Sequence, residues 1–196
     1  MVIESHKIQT HWNYLLAIDD DLDRLSRYIE FHERNFECFS IEISRILLTS
    51  AAEIDVVCKQ ICKKHDPESS AKDMHQYREE IKPVYPEIPN FEVMIPRHGL
   101  KLKPWDNWNE INGVPLWWTA HNKVKHQRDS EYYQGNLKNS LNSVAGLFIM
   151  VLYLYKEEAN MGELVPPPKL LRVTGEHCKG VDLATTEFGI AYKLSW

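Results

Sequence analysis

Between Ser40 and Lys64 the apolar residues Ile43, Leu47, Ala51, Ile54, Cys58 and Ile61 recur every three to four positions. That period predicts an amphipathic helix, with Ser40 as its N-cap and a stop before Asp66-Pro67. A second stripe, Leu137, Leu141, Val144, Phe148, Val151 and Tyr155, predicts a helix over Leu137 to Glu158. From Leu147 onward its other faces are apolar too, the mark of a helix at the centre of a bundle. Upstream, Asp19-Asp20-Asp21 precedes Leu22, Leu25, Tyr28 and Ile29. This predicts a helix that starts at the acidic run, or carries it early, and ends near Arg34-Asn35. Residues 66 to 72 read as a polar loop, and Lys72 to Lys82 as a short, highly charged helix.

The pattern changes at Pro83. Pro83, Pro86, Pro89 and Pro96 forbid a long helix. Phe91 to Ile95 and Leu100 to Lys103, separated by Pro96-Arg97-His98-Gly99, predict a small hairpin, and Trp105 and Trp108 follow in an irregular segment over the core. Pro115 suits the first position of a helix that runs to about Asp129-Ser130. Pro166-Pro167-Pro168 ends the helical region, and Leu170 to Thr174 and Phe188 to Leu194 read as short strands. The expected architecture is mainly α: an up-and-down helical bundle with a small β-hairpin insertion near 91–103 and a short β-containing C-terminal tail. Residues 1–196 make one domain, with a bundle core over 1–160 and an extension over 161–196.

Composition narrows the setting. The chain has 196 residues, is 43% hydrophobic and 26% charged, and has a formal net charge of -5, which argues against a general nucleic-acid coat protein but leaves room for a local basic site. Residues 1 to 18 carry no signal peptide, and the strongest apolar run, Val144 to Tyr155, is well short of the ~20 residues that span a bilayer. Four cysteines without regular spacing suit a reducing, cytoplasmic location with no membrane partner.

The densest chemistry lies in Pro115 to Arg128, which holds Trp117, Trp118, His121, Asn122, Lys123, Lys125, His126 and Arg128. On a helix, Trp117, Ala120 and Val124 form the core stripe, His121 and Arg128 flank it, and His126 points nearly opposite. Asn122 and His126 are surface neighbours four residues apart. The lysines and the arginine attract phosphate and depress a nearby imidazole pKa, which keeps the ring available as a base. Such a group suits RNA phosphodiester chemistry: a base for the 2′-hydroxyl and cations for the developing charge. The competing reading is a solvated polar face.

His121-Asn122-Lys123-Val124-Lys125-His126 resembles the signature of the HEPN superfamily, small helical bundles common in prokaryotic toxin, antiphage and RNA-processing systems. That signature is Arg, often followed by Asn or another polar residue, then His after four to six intervening residues. Asn122 and His126 match the Asn and His; His121 stands where the family has Arg. The order of a long helix, the motif helix and a long apolar helix is also similar. The resemblance implies a homodimer whose two motif helices meet across a twofold axis in a composite site. It implies His126, Asn122 and His121 as the catalytic group, with Lys123, Lys125, Arg128 and Trp118 binding RNA. The activity implied is a metal-independent endoribonuclease leaving a cyclic phosphate, with no cofactor, in a toxin or antiphage system with a cognate antitoxin or other protein partner. The alternative is a non-catalytic helical dimer or protein-interaction module with a degenerate motif.

Three other groups have competing readings. Cys58, Cys62 and His65, with His177-Cys178, are either metal ligands or core cysteines. Glu42, Arg45, Thr49 and Glu53 share one helix face and either reach the motif helix, with Glu53 orienting an imidazole, or pair among themselves. Trp105, Trp108, Trp117 and Trp118 either stack bases or cap the core, Trp118 being the most exposed. Arg97-His98 on the hairpin turn reads as basic and exposed.

Overall fold

A computed structural model describes residues 8–173, 181–185 and 190–194, with Ile190 and Tyr192 the side chains described in the last two segments. The first helix, α1 (Thr10–Leu25), is built on Trp12, Leu15, Ile18, Leu22 and Leu25, all buried. It begins well before the acidic run and ends well before Arg34. The three aspartates lie in its C-terminal half, and Tyr28 is 84% exposed. The phase is set by Trp12 and Leu15, which the acidic run had masked. Asp19 falls on the buried face.

α2 (Ile41–His65) starts as predicted, with Ser40 Oγ accepting from the Ile43 N–H at 3.2 Å. α3 (Met74–Val84) is capped by Asp73, which accepts from the Gln76 N–H, and Pro83 sits in its last turn. α4 (Leu116–His126) has Pro115 as N-cap rather than first residue, and stops at His126 because Gln127 (φ -137, ψ 44) leaves the helical region. A single turn, α5 (Arg128–Glu131), follows. The expected last helix is divided at Tyr155 (φ -101, ψ 40) into α6 (Leu137–Leu154) and α7 (Lys156–Met161).

Pairwise contacts give the helix directions. α1 runs antiparallel to α2: His11 meets Glu53 and Gln60, while Asp21 meets Arg45. α6 runs alongside α2 in the same sense, with Ser140 bonded to Ile43, Ser50 to Ser143 and Lys64 to Leu154. α4 packs on α2 and α6, and runs opposite to α2, since the chain beyond it brings Gly135 to Ser44. In chain order α1, α2, α4 and α6 thus alternate up and down, with α6 central. Fifteen of the 18 residues of α6 are buried. It is long and apolar enough to cross a membrane by length and composition, yet 83% of it is buried inside the bundle.

Serines bridge α2 and α6 within an otherwise largely aliphatic interface. Ser50 Oγ and Ser143 Oγ are 2.7 Å apart, and Ser140 Oγ donates to Ile43 O at 2.8 Å, so these buried hydroxyls are satisfied. Gly135 lies so close that an added Cβ meets Ser44 Oγ at 2.2 Å and Ser44 Cβ at 2.9 Å. Rotating the hydroxyl relieves only the first contact. Gly135→Ala is therefore expected to cost about 2 kcal/mol of stability in a urea titration, with partial recovery in the Gly135→Ala, Ser44→Gly double variant.

The hairpin forms as expected, from β1 (Val93–Ile95) and β2 (Leu100–Leu102), turning through Gly99 at φ 65. A third strand, β3 (Arg172–Val173), pairs with the other edge of β1, giving an antiparallel sheet in the order β2-β1-β3. The C-terminal extension therefore completes this sheet. β4 (Val181–Thr185), which the pattern did not predict, pairs with β5 (Ile190–Leu194). Tyr192 is buried against Trp12 and Phe148. Before β3, the Asp19 carboxylate accepts from Lys169 N–H at 2.5 Å and Leu170 N–H at 3.2 Å, and Trp12 Nε1 donates to Pro166 O at 3.1 Å. Burial outweighs these donors and holds the Asp19 pKa above the ordinary carboxylate value. The turn residues Arg97 and His98 are paired rather than free, with Asp23 and Glu30, and the His98 side chain is only 4% exposed.

Candidate functional site

α4 lies across α2 and α6 because Trp117, Ala120 and Val124 form a buried stripe, the stripe expected from the helical period. Trp117 Nε1 donates to Pro104 O at 2.8 Å, and Trp105 Nε1 to Gly146 O at 3.3 Å. Trp105, Trp108 and Trp117 pack into one aromatic group in the core, with ring centroids 4.5 and 5.2 Å apart. Base stacking by these three is ruled out by their burial. Trp118 is half-buried, with its ring edge-on to Trp117.

His121 is deeper than the flank position expected for it, at 5% exposure. Its ring lies 5.1 Å from that of Trp118, and its Nδ1 has no hydrogen-bond partner among the described residues. Burial, followed by the charge of Lys125, pushes its pKa down to about 4. Asp55 of α2 is close enough to favour the charged form, but it is already engaged by Tyr77 Oη at 2.7 Å and Lys59 Nζ at 2.5 Å. His121 is therefore neutral at pH 7.

Asn122 is half-buried and hydrogen-bonds the His121 imidazole, while Lys125 and His126, three and four residues on, are exposed beside it. Lys123 is turned away from this group and bound to Glu131 at 3.3 Å. Arg128 is exposed and its guanidinium lies 5.7 Å from the Tyr132 ring centroid. The motif thus divides into an outward group (Asn122, Lys125, His126), a buried neutral imidazole and a cation stacked on an aromatic ring. On the solvent side of α2, Leu48, Ala52 and Val56 lie four residues apart. Ala52 is exposed and Val56 is 42% exposed.

Glu53 does orient an imidazole, but that of His11 on α1. His11 Nδ1 is 2.6 Å from Glu53 Oε1, and Gln60 Nε2 is 2.8 Å from His11 Nε2. The Glu53 carboxylate on one side and the Gln60 amide on the other fix the orientation of the ring. Arg45 bonds both Glu42 and Asp21, so the Glu42–Arg45 face is internally paired. His11 escaped the periodicity because it precedes the acidic run; the signal that locates it is the Trp12–Leu15 phase.

Cys58 and Cys62 are core residues, buried in the α2 stripe. Burial raises the Cys58 pKa well above its usual value, and burial with the Glu80 carboxylate pushes Cys62 up to about 12, so both remain thiols at neutral pH. His65 bonds Tyr85 Oη at 2.8 Å. Among the described residues no group of three or more His, Cys, Asp or Glu gathers to hold a metal. His177 and Cys178 lie outside the described residues. Comparison with protein-family models, curated proteins and solved structures gave no match.

Proposed function

We propose that this chain is a HEPN-like helical protein that binds RNA through a composite site, formed where the α4 helices of two copies meet. The observation that supports it is the outward group of Asn122, Lys125 and His126 on a helix whose other face is core. The small and apolar stripe of Leu48, Ala52 and Val56 on α2 gives a second copy a surface to bury. A toxin or antiphage setting with a protein partner follows from the same resemblance.

Binding is favoured over cleavage by the state of His121. An arginine at that position supplies a permanent, forked charge to phosphate. A buried imidazole with a pKa of about 4 supplies none at pH 7. Any cleavage then rests on His126 as base, with Lys125 and Arg128 as the available cations. The second reading, a dimer or protein-interaction module without RNA, draws on the apolar α2 stripe alone.

The experiment combines solution mass with RNA titration in EDTA. A dimeric mass is expected, with affinity falling steeply as salt rises. The Asn122→Ala, His126→Ala double variant is expected to lose about tenfold in affinity, as for one or two lost hydrogen bonds, with its helix content unchanged. A monomeric mass sinks the composite site. A dimer with no RNA affinity selects the second reading.

A further inference from the structure

Past the C-terminal end of α4 the surface turns aromatic. Phe39 and Tyr133 are 50% and 49% exposed. Phe39 is held by its backbone: it bridges to Asn136, with Leu137 N–H donating to Cys38 O at 2.8 Å and Lys138 N–H to Phe36 O at 3.1 Å. Its ring meets that of Tyr132 edge-on, with centroids 5.5 Å apart at 84°. Arg128 covers Tyr132 and has no carboxylate partner among the described residues. Glu131 is occupied by Lys123 Nζ and by Tyr133 Oη, both at 3.3 Å, and Glu37 accepts from Asn136 Nδ2 at 3.1 Å.

We propose that Phe39, Tyr132 and Arg128 form a stacking subsite for an unpaired RNA base, adjacent to the nucleotide held by Asn122 and His126; this rests on the RNA-binding reading above. An exposed ring on an anchored backbone loses little freedom on binding, and every base offers it a π-face. The guanidinium beside the rings takes the phosphate of the stacked nucleotide. A duplex, whose bases are already stacked, has nothing to place there. Aromatic patches also dock proteins. Here Lys125 and His126 at the end of α4 and Arg128 at the start of α5 favour a polyanion.

Fluorescence anisotropy of the full chain tests it with three labelled probes: a uridine oligonucleotide, the same backbone without bases, and a blunt RNA duplex. Phe39→Ala is expected to weaken the uridine strand at least about fivefold and to leave the abasic backbone unchanged. Phe39→Tyr retains wild-type affinity. Arg128→Gln weakens both the uridine strand and the abasic backbone. Equal loss on the two backbones in Phe39→Ala overturns the subsite, as does a change of solution mass in that variant, which would make Phe39 a protein contact. Wild-type protein that binds none of the three probes removes the RNA reading and the subsite together. Wild-type binding with an unaffected Phe39→Ala removes the subsite alone.

Discussion

Replacing Asp19 by alanine is expected to lower the unfolding free energy by about 3 kcal/mol, since each buried donor left unpaired costs roughly 1–3 kcal/mol. The carboxylate is 1% exposed and accepts from the backbone N–H groups of Lys169 and Leu170. No other described group replaces it as their acceptor. The loss should also be local. Segment 166–173, joined to α1 by Asp19 and by Trp12, should become sensitive to protease under native conditions before the bundle unfolds. Asp19→Asn keeps the shape and one acceptor oxygen, so a smaller loss is expected. Urea titration of the three proteins, with limited proteolysis alongside, measures both effects. An alanine variant as stable and as protease-resistant as wild type would show that the sheet, the Trp12–Pro166 bond and the Lys169–Asp20 ion pair hold the segment without Asp19.

The second large effect is a pH dependence carried by His121. The folded chain holds this imidazole neutral, with its pKa depressed from 6.5 to about 4 by burial and then by Lys125. The sign follows from which state binds the proton. Above pH 6.5 the ring is neutral in both states and the fold keeps its full stability. As pH falls from 6.5 towards 4, the unfolded chain takes up the proton and the folded chain does not, so stability is lost. A depression of this size corresponds to about 3 kcal/mol by the lower end of the window. In His121→Leu that component disappears. The difference in urea midpoint between wild type and variant should therefore change between pH 7.5 and pH 4.5, in favour of the variant at the acid end. Parallel pH profiles would mean that the ring titrates freely.

Much of the bundle was legible from spacing alone, because its largest apolar faces have a clean helical period. α2 and the hairpin have the expected elements within a residue or two, and α6 has its predicted start and central position. The misread helix, α1, carries an aspartate on its buried face, and a carboxylate there looks like a surface residue until its partners on a distant segment are known. The break at Tyr155 and the early end of α4 at Gln127 are backbone events with no Pro or Gly to mark them.

The candidate site divides in the same way. Local period placed Trp117, Ala120 and Val124 inward and His126 outward, as found. It left His121 on a flank, because a helical wheel does not contain the neighbouring helix that covers the flank. The pairing of Glu53 with His11, across 42 residues, has no local signature at all. The aromatic group of Phe39 and Tyr132 depends on the bridge between Phe39 and Asn136, which likewise joins distant parts of the chain.

The central helix comes late in the chain. α1, α2 and α4 are all synthesised before Leu137 of α6 emerges, and all three bury their apolar faces against it. Until then α1 and α4 of a nascent chain have only α2 to pack on, and the faces that meet α6 stay uncovered. Assembly of the bundle must wait for the last third of translation. That interval is when this protein is most exposed to aggregation, and when a chaperone would have most to hold.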